Sequence, residues 1–149
     1  MSMPASKPDK IQALAERYLE AWNARDLERI LALHAPDSEF RLHGADGVQI
    51  WKGIDAVREC FDYLLRAWPD QQFKCNSLEI LDDMWIDHCT LTATLAVPWT
   101  MAGTTYQPTG RPISIEIADI MYCRGGRVTA KEGWIDGLAM HNQLMRGAA

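Results

Sequence analysis

The stretch RPISIEIADIMYCRGGRVTAKEGWID, residues 111–136, decides the fold. From Arg111 to Cys123, and again from Arg127 to Asp136, β-branched residues alternate with polar ones, the period of a strand with one buried face. Gly125-Gly126 between them suits the two left-handed positions of a tight hairpin turn. Upstream, Phe73–Leu81 and Trp85–Val97 read as two more strands around an Asp82-Asp83 turn. Ala102–Gly110 is rich in Gly, Thr and Pro and reads as a loop. Gly137–Arg146 reads as a short closing helix.

The first half has a different rhythm. Ile11, Leu14, Ala15, Tyr18, Leu19 and Trp22 recur at three- and four-residue spacing, which predicts a helix from Asp9. Asp26 is placed to cap a second, shorter helix that stops before His34-Ala35-Pro36-Asp37. Glu39–His43 and Val48–Trp51 are expected short strands. Gly53 opens a third helix, which Pro69 ends. Residues 1–8 read as a disordered tail and residues 9–149 as one domain. Helices followed by an antiparallel meander predict an α+β fold, a curved sheet wrapped around the N-terminal helices into a cone with an internal pocket.

With 149 residues and 48% apolar composition the chain can build a core without metal or disulfide staples. The net charge of −5 and scattered basic residues speak against a nucleic-acid or anionic membrane partner. Cys60, Cys75, Cys89 and Cys123 form no C-x-x-C pair, so buried thiols in a reducing compartment are expected. The N-terminal residues contain no apolar core, and no window approaches a membrane span, so a cytoplasmic protein is expected. His34, His88 and His141 show no ligand spacing, and no metal is expected.

The segments RYLEAWNARDLERILALHAPDSEF (17–40), WKGIDAVRECF (51–61) and PTGRPISIEIADIMYCRGGRVTAKEGWIDGLAMHNQL (108–144) resemble the nuclear transport factor 2-like superfamily. Within it they are most similar to the SnoaL-like polyketide cyclase and ketosteroid isomerase-like group, over roughly residues 10–146. The resemblance implies the cone fold but not one reaction, because the fold hosts isomerases, cyclases, dehydratases, epoxide hydrolases and non-catalytic binders.

The resemblance places Tyr18 and Asp119 where the isomerases hold two donors to a developing enolate oxygen. That role needs a neutral Asp119, and the flanking Ile115, Ile117, Ile120 and Met121 suit it. The plainer alternative is a packed tyrosine ring and an aspartate paired with a neighbour. The usual general bases are missing: Leu42 stands at the isomerase position and Gly133 at the cyclase position. Three residues are candidates to replace them. His43 ends the first strand, and a histidine is the side-chain type suited to move a proton near neutral pH. Glu132 would reach the pocket only through a bulge, since neighbouring strand residues face opposite sides. Asp136 matches an acid of the family's W-x-D ending, although capping the last helix is its plainer role. Trp51, Trp99 and Met101 are expected at the cone's mouth, where they suit an apolar ring-shaped ligand.

Two functions follow. One is a cofactor-independent enzyme moving a proton next to a carbonyl, as an isomerase, cyclase or dehydratase, on an apolar ring-containing substrate. The other is a ligand-binding or assembly module of the same fold that has lost its catalytic acids. A homodimer is expected, because the outer sheet face also carries Leu, Ile and Tyr.

Overall fold

A computed structural model describes residues 3–147. Helix α1 (Lys7–Asn23) begins inside the expected tail, because Ser6 and Asp9 form a reciprocal capping box and Pro8 occupies the first turn. Residues 3–5 precede it, and residues 1–2 of the expected tail lie outside the described residues. Of the predicted face, Ile11, Leu14, Ala15, Tyr18 and Trp22 are buried and Leu19 is half-buried, with Ala21 added. Asp26 caps α2 (Leu27–Ala32) by accepting from Arg29 N.

Strand β1 (His34–Gly44) starts five residues earlier than expected. Pro36 is tolerated because the ladder to β8 is interrupted between His34 and Glu39, where no backbone donor is required. A turn leads to β2 (Gly47–Lys52), and Gly53, at φ 83°, opens α3 (Ile54–Ala67). Strands β3 (Gln72–Ile80) and β4 (Met84–Thr94) follow. A small hairpin, too short for alternation to reveal, follows: β5 (Trp99–Met101) precedes the expected loop, and its turn and β6 (Thr104–Tyr106) lie within it. Its turn places Ala102 at φ 50°, and Ala102 N donates to Asp46 Oδ1 at 2.8 Å, tying the hairpin to the β1–β2 turn. Strands β7 (Pro112–Arg124) and β8 (Arg127–Ile135) and helix α4 (Gly137–Gly147) complete the chain. Gly125 and Gly126 both have positive φ, as the hairpin reading requires.

The main sheet runs β2-β1-β8-β7-β4-β3 and is antiparallel except where β1 meets β8. It is curved and unclosed, and the fold is the mixed α+β arrangement that the sequence predicts. Helix α1 crosses β3 and β4, α3 covers β1 and β2, and α4 packs on β7. Asn23 fixes the end of α1 by imitating a strand partner: its amide accepts from Phe73 N at 2.8 Å and donates to Phe73 O at 3.0 Å. Two apolar clusters result. One joins α1, α2 and α3 to Phe40 and Trp85; the other gathers Trp68, Met101, Met140 and Ile113, Ile115 and Ile117 of β7.

Candidate functional site

The inner sheet face is apolar at nearly every step: Trp85, Cys89, Leu91 and Ala93 on β4, Ile113, Ile115, Ile117 and Met121 on β7. Three charged side chains interrupt it, Asp87, Asp119 and Lys131, and all line one cavity of about 120 Å³. A cavity of about 150 Å³ takes up a benzene ring, so this one is of the order of a single aromatic ring. Its remaining walls include Tyr18, Leu42, Trp99 and the rings of Trp22, Phe40 and Phe61.

Lys131 Nζ donates to Asp119 Oδ2 at 2.5 Å, with side-chain exposures of only 12% and 10%. The ammonium also lies 5.5 Å from the Tyr18 ring centroid and 5.7 Å from that of Trp22, a cation–π setting. Burial alone would depress the Lys131 pKa, but Asp119, Tyr18 and Asp87 more than reverse this and hold it above the usual lysine range. Asp119 thus has the paired neighbour of the plainer alternative, in a charge-assisted hydrogen bond from the Lys131 ammonium.

Asp87 lies directly across the β4–β7 ladder from Asp119. Its Oδ2 accepts from Trp85 Nε1 at 2.9 Å. Burial, then the facing Asp119 charge, push the Asp87 carboxyl above the usual range. Tyr18 is pushed up to about 12, first by burial, and stays a phenol. Its hydroxyl meets His34 Nε2 at 2.9 Å, and His34 Nδ1 meets Ser38 Oγ at 2.7 Å. Burial, then Lys131, push His34 down to about 3, so the ring is neutral. In one tautomer Tyr18 donates to His34. In the other His34 donates to Tyr18, which frees the phenolic proton for a ligand.

Gly133 sits opposite Asp119 in the β7–β8 ladder and opposite Leu42 in the β1–β8 ladder. A Cβ at 133 would stand 2.5 Å from Asp119 Oδ1. The Asp119 carboxylate thus fills the space that a residue-133 side chain would take. An acid expected on the last strand is replaced, in the same volume, by one from the adjacent strand.

The other candidate residues separate. Leu42 and Trp99 line both the cavity and an adjoining cleft that also holds Trp51 and Met101. Trp51 stacks on Phe40 at 5.2 Å. His43 and Glu132 do not enter the cavity; they lie on the outer sheet face. The one register shift in the β7–β8 pair falls at Tyr122/Cys123, so Glu132 keeps the parity opposite to Gly133. There Glu132 meets His43 at 2.8 Å and Arg41 at 3.5 Å, while His43 stacks on Trp134 at 4.4 Å. Asp136 caps α4, accepting from Ala139 N at 2.9 Å. Lys131, Asp87 and the His34–Ser38 pair were not anticipated. Their signals were present: Lys131 shares the parity of Gly133, and Asp87 alternates with Trp85, Cys89 and Leu91.

The profile of the SnoaL-like domain family matches residues 15–131. No curated protein sequence matches the chain. Among solved structures, AclR from Streptomyces galilaeus, provisionally a hydroxylase, is similar at 23% identity and TM-score 0.75, covering 93% of this chain and 98% of that one. A SnoaL-like protein from Jannaschia sp. CCS1, provisionally a polyketide cyclase, gives 16% identity and TM-score 0.80, covering 97% of each chain. IdmH from Streptomyces antibioticus, also provisionally a polyketide cyclase, gives 22% and 0.72, covering 90% of this chain and 97% of that one. At these identities the likeness is one of fold.

Proposed function

Because the chain belongs to the SnoaL-like domain family, we propose that it is an enzyme moving a proton next to a carbonyl on an apolar, ring-containing substrate. One observation carries this reading: a buried Lys131–Asp119 pair on a cavity wall whose one other charged group among the described residues is Asp87. Burying two charges costs several kcal/mol each before their attraction is counted, about as much as the pair returns. An apolar pair of the same volume would serve stability as well, so the charges fit a chemical role better than a packing one.

Asp119 Oδ2 is held by Lys131, and Oδ1 is the oxygen left to act. In the proposed step Oδ1 takes a proton from the carbon beside the substrate carbonyl. The C–H electron pair becomes the enolate double bond, and the carbonyl π pair moves onto oxygen, stabilised by the Lys131 ammonium and the Tyr18 hydroxyl. Return of the proton to another carbon completes an isomerisation; attack of the enolate on a second carbonyl gives a cyclisation. Asp87, with its carboxyl pushed up, is the group suited to hand a proton to the product oxygen. No external oxidant or reductant enters the balance.

The test is solvent-deuterium exchange of the α-protons of 2-tetralone, followed by NMR. The expected result is exchange at least a hundred-fold above buffer, lost in Asp119→Asn. Tight binding of the ketone with exchange at the buffer rate would favour the non-catalytic ligand-binding module.

The chain is further proposed to form a homodimer through the outer sheet face, where Ile86 and Trp134 are 40% and 38% exposed. Sedimentation as a monomer at micromolar concentration would overturn this. Among the described residues no helix is long and apolar enough to cross a membrane.

A further inference from the structure

The cavity holds a second set of polar groups that the proton-transfer step does not use. Gln71 Nε2 and Trp99 Nε1 are buried and have no hydrogen-bond partner among the described residues, and both residues line the cavity. Gln71, only 4% exposed, lies between α3 and β3; Trp99 opens β5. Trp68 stands between them: its backbone oxygen accepts from Gln71 N at 3.2 Å, and its ring meets that of Trp99 edge-on at 5.5 Å. A third unpartnered donor, Trp22 Nε1, belongs to the Lys131 end, where it neighbours Tyr18.

A buried donor left without an acceptor costs about 1–3 kcal/mol, and buried indole N–H groups normally find a partner. Nothing in the packing obliges these two to be polar. The Trp99 ring and the Gln71 backbone are also held in place. Tyr63 stacks on Trp99 at 5.5 Å with the planes 8° apart, and the backbone of Gln71 is held by Trp68 and by Arg25 Nη1. Buried, unsatisfied donors on residues that line an apolar cavity are the complement of an acceptor atom on a ligand.

We propose that Gln71 and Trp99 form a specificity subsite that binds an acceptor oxygen of the ligand, away from the oxygen met by Lys131. The inference rests on reading the cavity as the ligand site, and it narrows the ligand class. The molecule is an apolar ring skeleton with oxygen at two positions, the second a carbonyl or ether rather than an ammonium or any other group that can only donate. A hydrocarbon tail in that position would leave both donors unpaired.

The experiment is calorimetric titration with two probes of nearly equal shape, 6-acetyl-2-naphthol and 6-isopropyl-2-naphthol. Simple partitioning favours the isopropyl compound. The subsite reverses this, and the acetyl compound binds roughly ten-fold tighter, as two hydrogen bonds to a neutral acceptor provide. Gln71→Met and Trp99→Phe each remove most of the preference, read as the ratio of the two affinities within the same variant. Equal affinities on the unaltered protein overturn the proposal without reference to any variant, as does a preference that survives both substitutions. A failure of either probe to bind at millimolar concentration overturns it too. Lys131→Met separates the two readings. If it leaves both affinities unchanged while the acetyl preference persists, the subsite stands and the enzymatic role of Lys131 falls. If it weakens both probes and no acetyl preference exists, the reverse holds.

Discussion

Gly133→Ala is the sharpest perturbation of the site. The added methyl would stand 2.5 Å from Asp119 Oδ1 and 3.8 Å from Leu42 Cδ1. The second contact is ordinary; the first requires the carboxylate to retreat by roughly 0.5–1 Å, enough to forfeit a good part of any close contact. Asp119 is short and its other oxygen is held by Lys131 at 2.5 Å, so the retreat comes at the expense of that bond. Overpacking costs about 1–3 kcal/mol, and weakening a hydrogen bond between charged groups costs about 1.5–3 kcal/mol. The two share one relaxation, so the expected loss is about 2–4 kcal/mol, read as a lower urea midpoint at unchanged slope. In an Asp119→Ala background the same methyl meets no carboxylate, and its added cost should fall below about 0.5 kcal/mol, a coupling of at least 1 kcal/mol. A loss below about 0.5 kcal/mol in the single variant, or strict additivity in the double one, would refute the claim that Asp119 occupies the volume beside Gly133.

Acid should unfold the protein partly through His34. Its folded pKa, about 3, lies below the unfolded value, so its contribution is complete above about pH 6.5 and falls away from there toward pH 3, by about 1.4 kcal/mol per pH unit. Between pH 7 and 4.5 the unaltered protein should lose roughly 2–3 kcal/mol more than His34→Asn; equal losses in urea melts would remove His34 as the cause. Tyr18→Phe keeps the ring packing but orphans His34 Nε2, and should cost about 1–2 kcal/mol. In 15N spectra the His34 tautomer should respond to Tyr18→Phe, and an unchanged spectrum would count against the contact. Asp136→Ala should lower stability by about 1 kcal/mol through α4 while leaving 2-tetralone exchange unchanged. A loss of exchange without a loss of stability would return Asp136 to the site.

The fold was legible because its elements announce themselves locally. The α1 stripe, the Gly53 start and the Gly125-Gly126 turn each rest on neighbouring residues. The β5–β6 hairpin was not, because three-residue strands carry no alternation and Ala102 takes a conformation set by distant Asp46. The site was half legible. Tyr18, Asp119 and Leu42 were singled out and line one cavity. The partner of Asp119 was missed because Lys131 stands on another strand and reads in isolation as an ordinary surface lysine. His43 looked chemically suited, but one step of strand parity puts it behind the sheet.

The single parallel pairing, β1 with β8, also fixes when the protein can become itself. β8 lies between β1 and β7 in the sheet but is the last strand in the chain. A growing chain without it is two separate pieces, the β1–β2 hairpin and the β3–β4–β7 meander, each with an open edge. Lys131, Gly133 and the support for Leu42 all arrive with that strand. Pairing across some ninety residues is slow to close, so the nascent chain passes through a stage that has most of its core, two unpaired strand edges and no cavity floor. A chain cut short just after β7 would be exposed to the edge-to-edge association that β8 prevents.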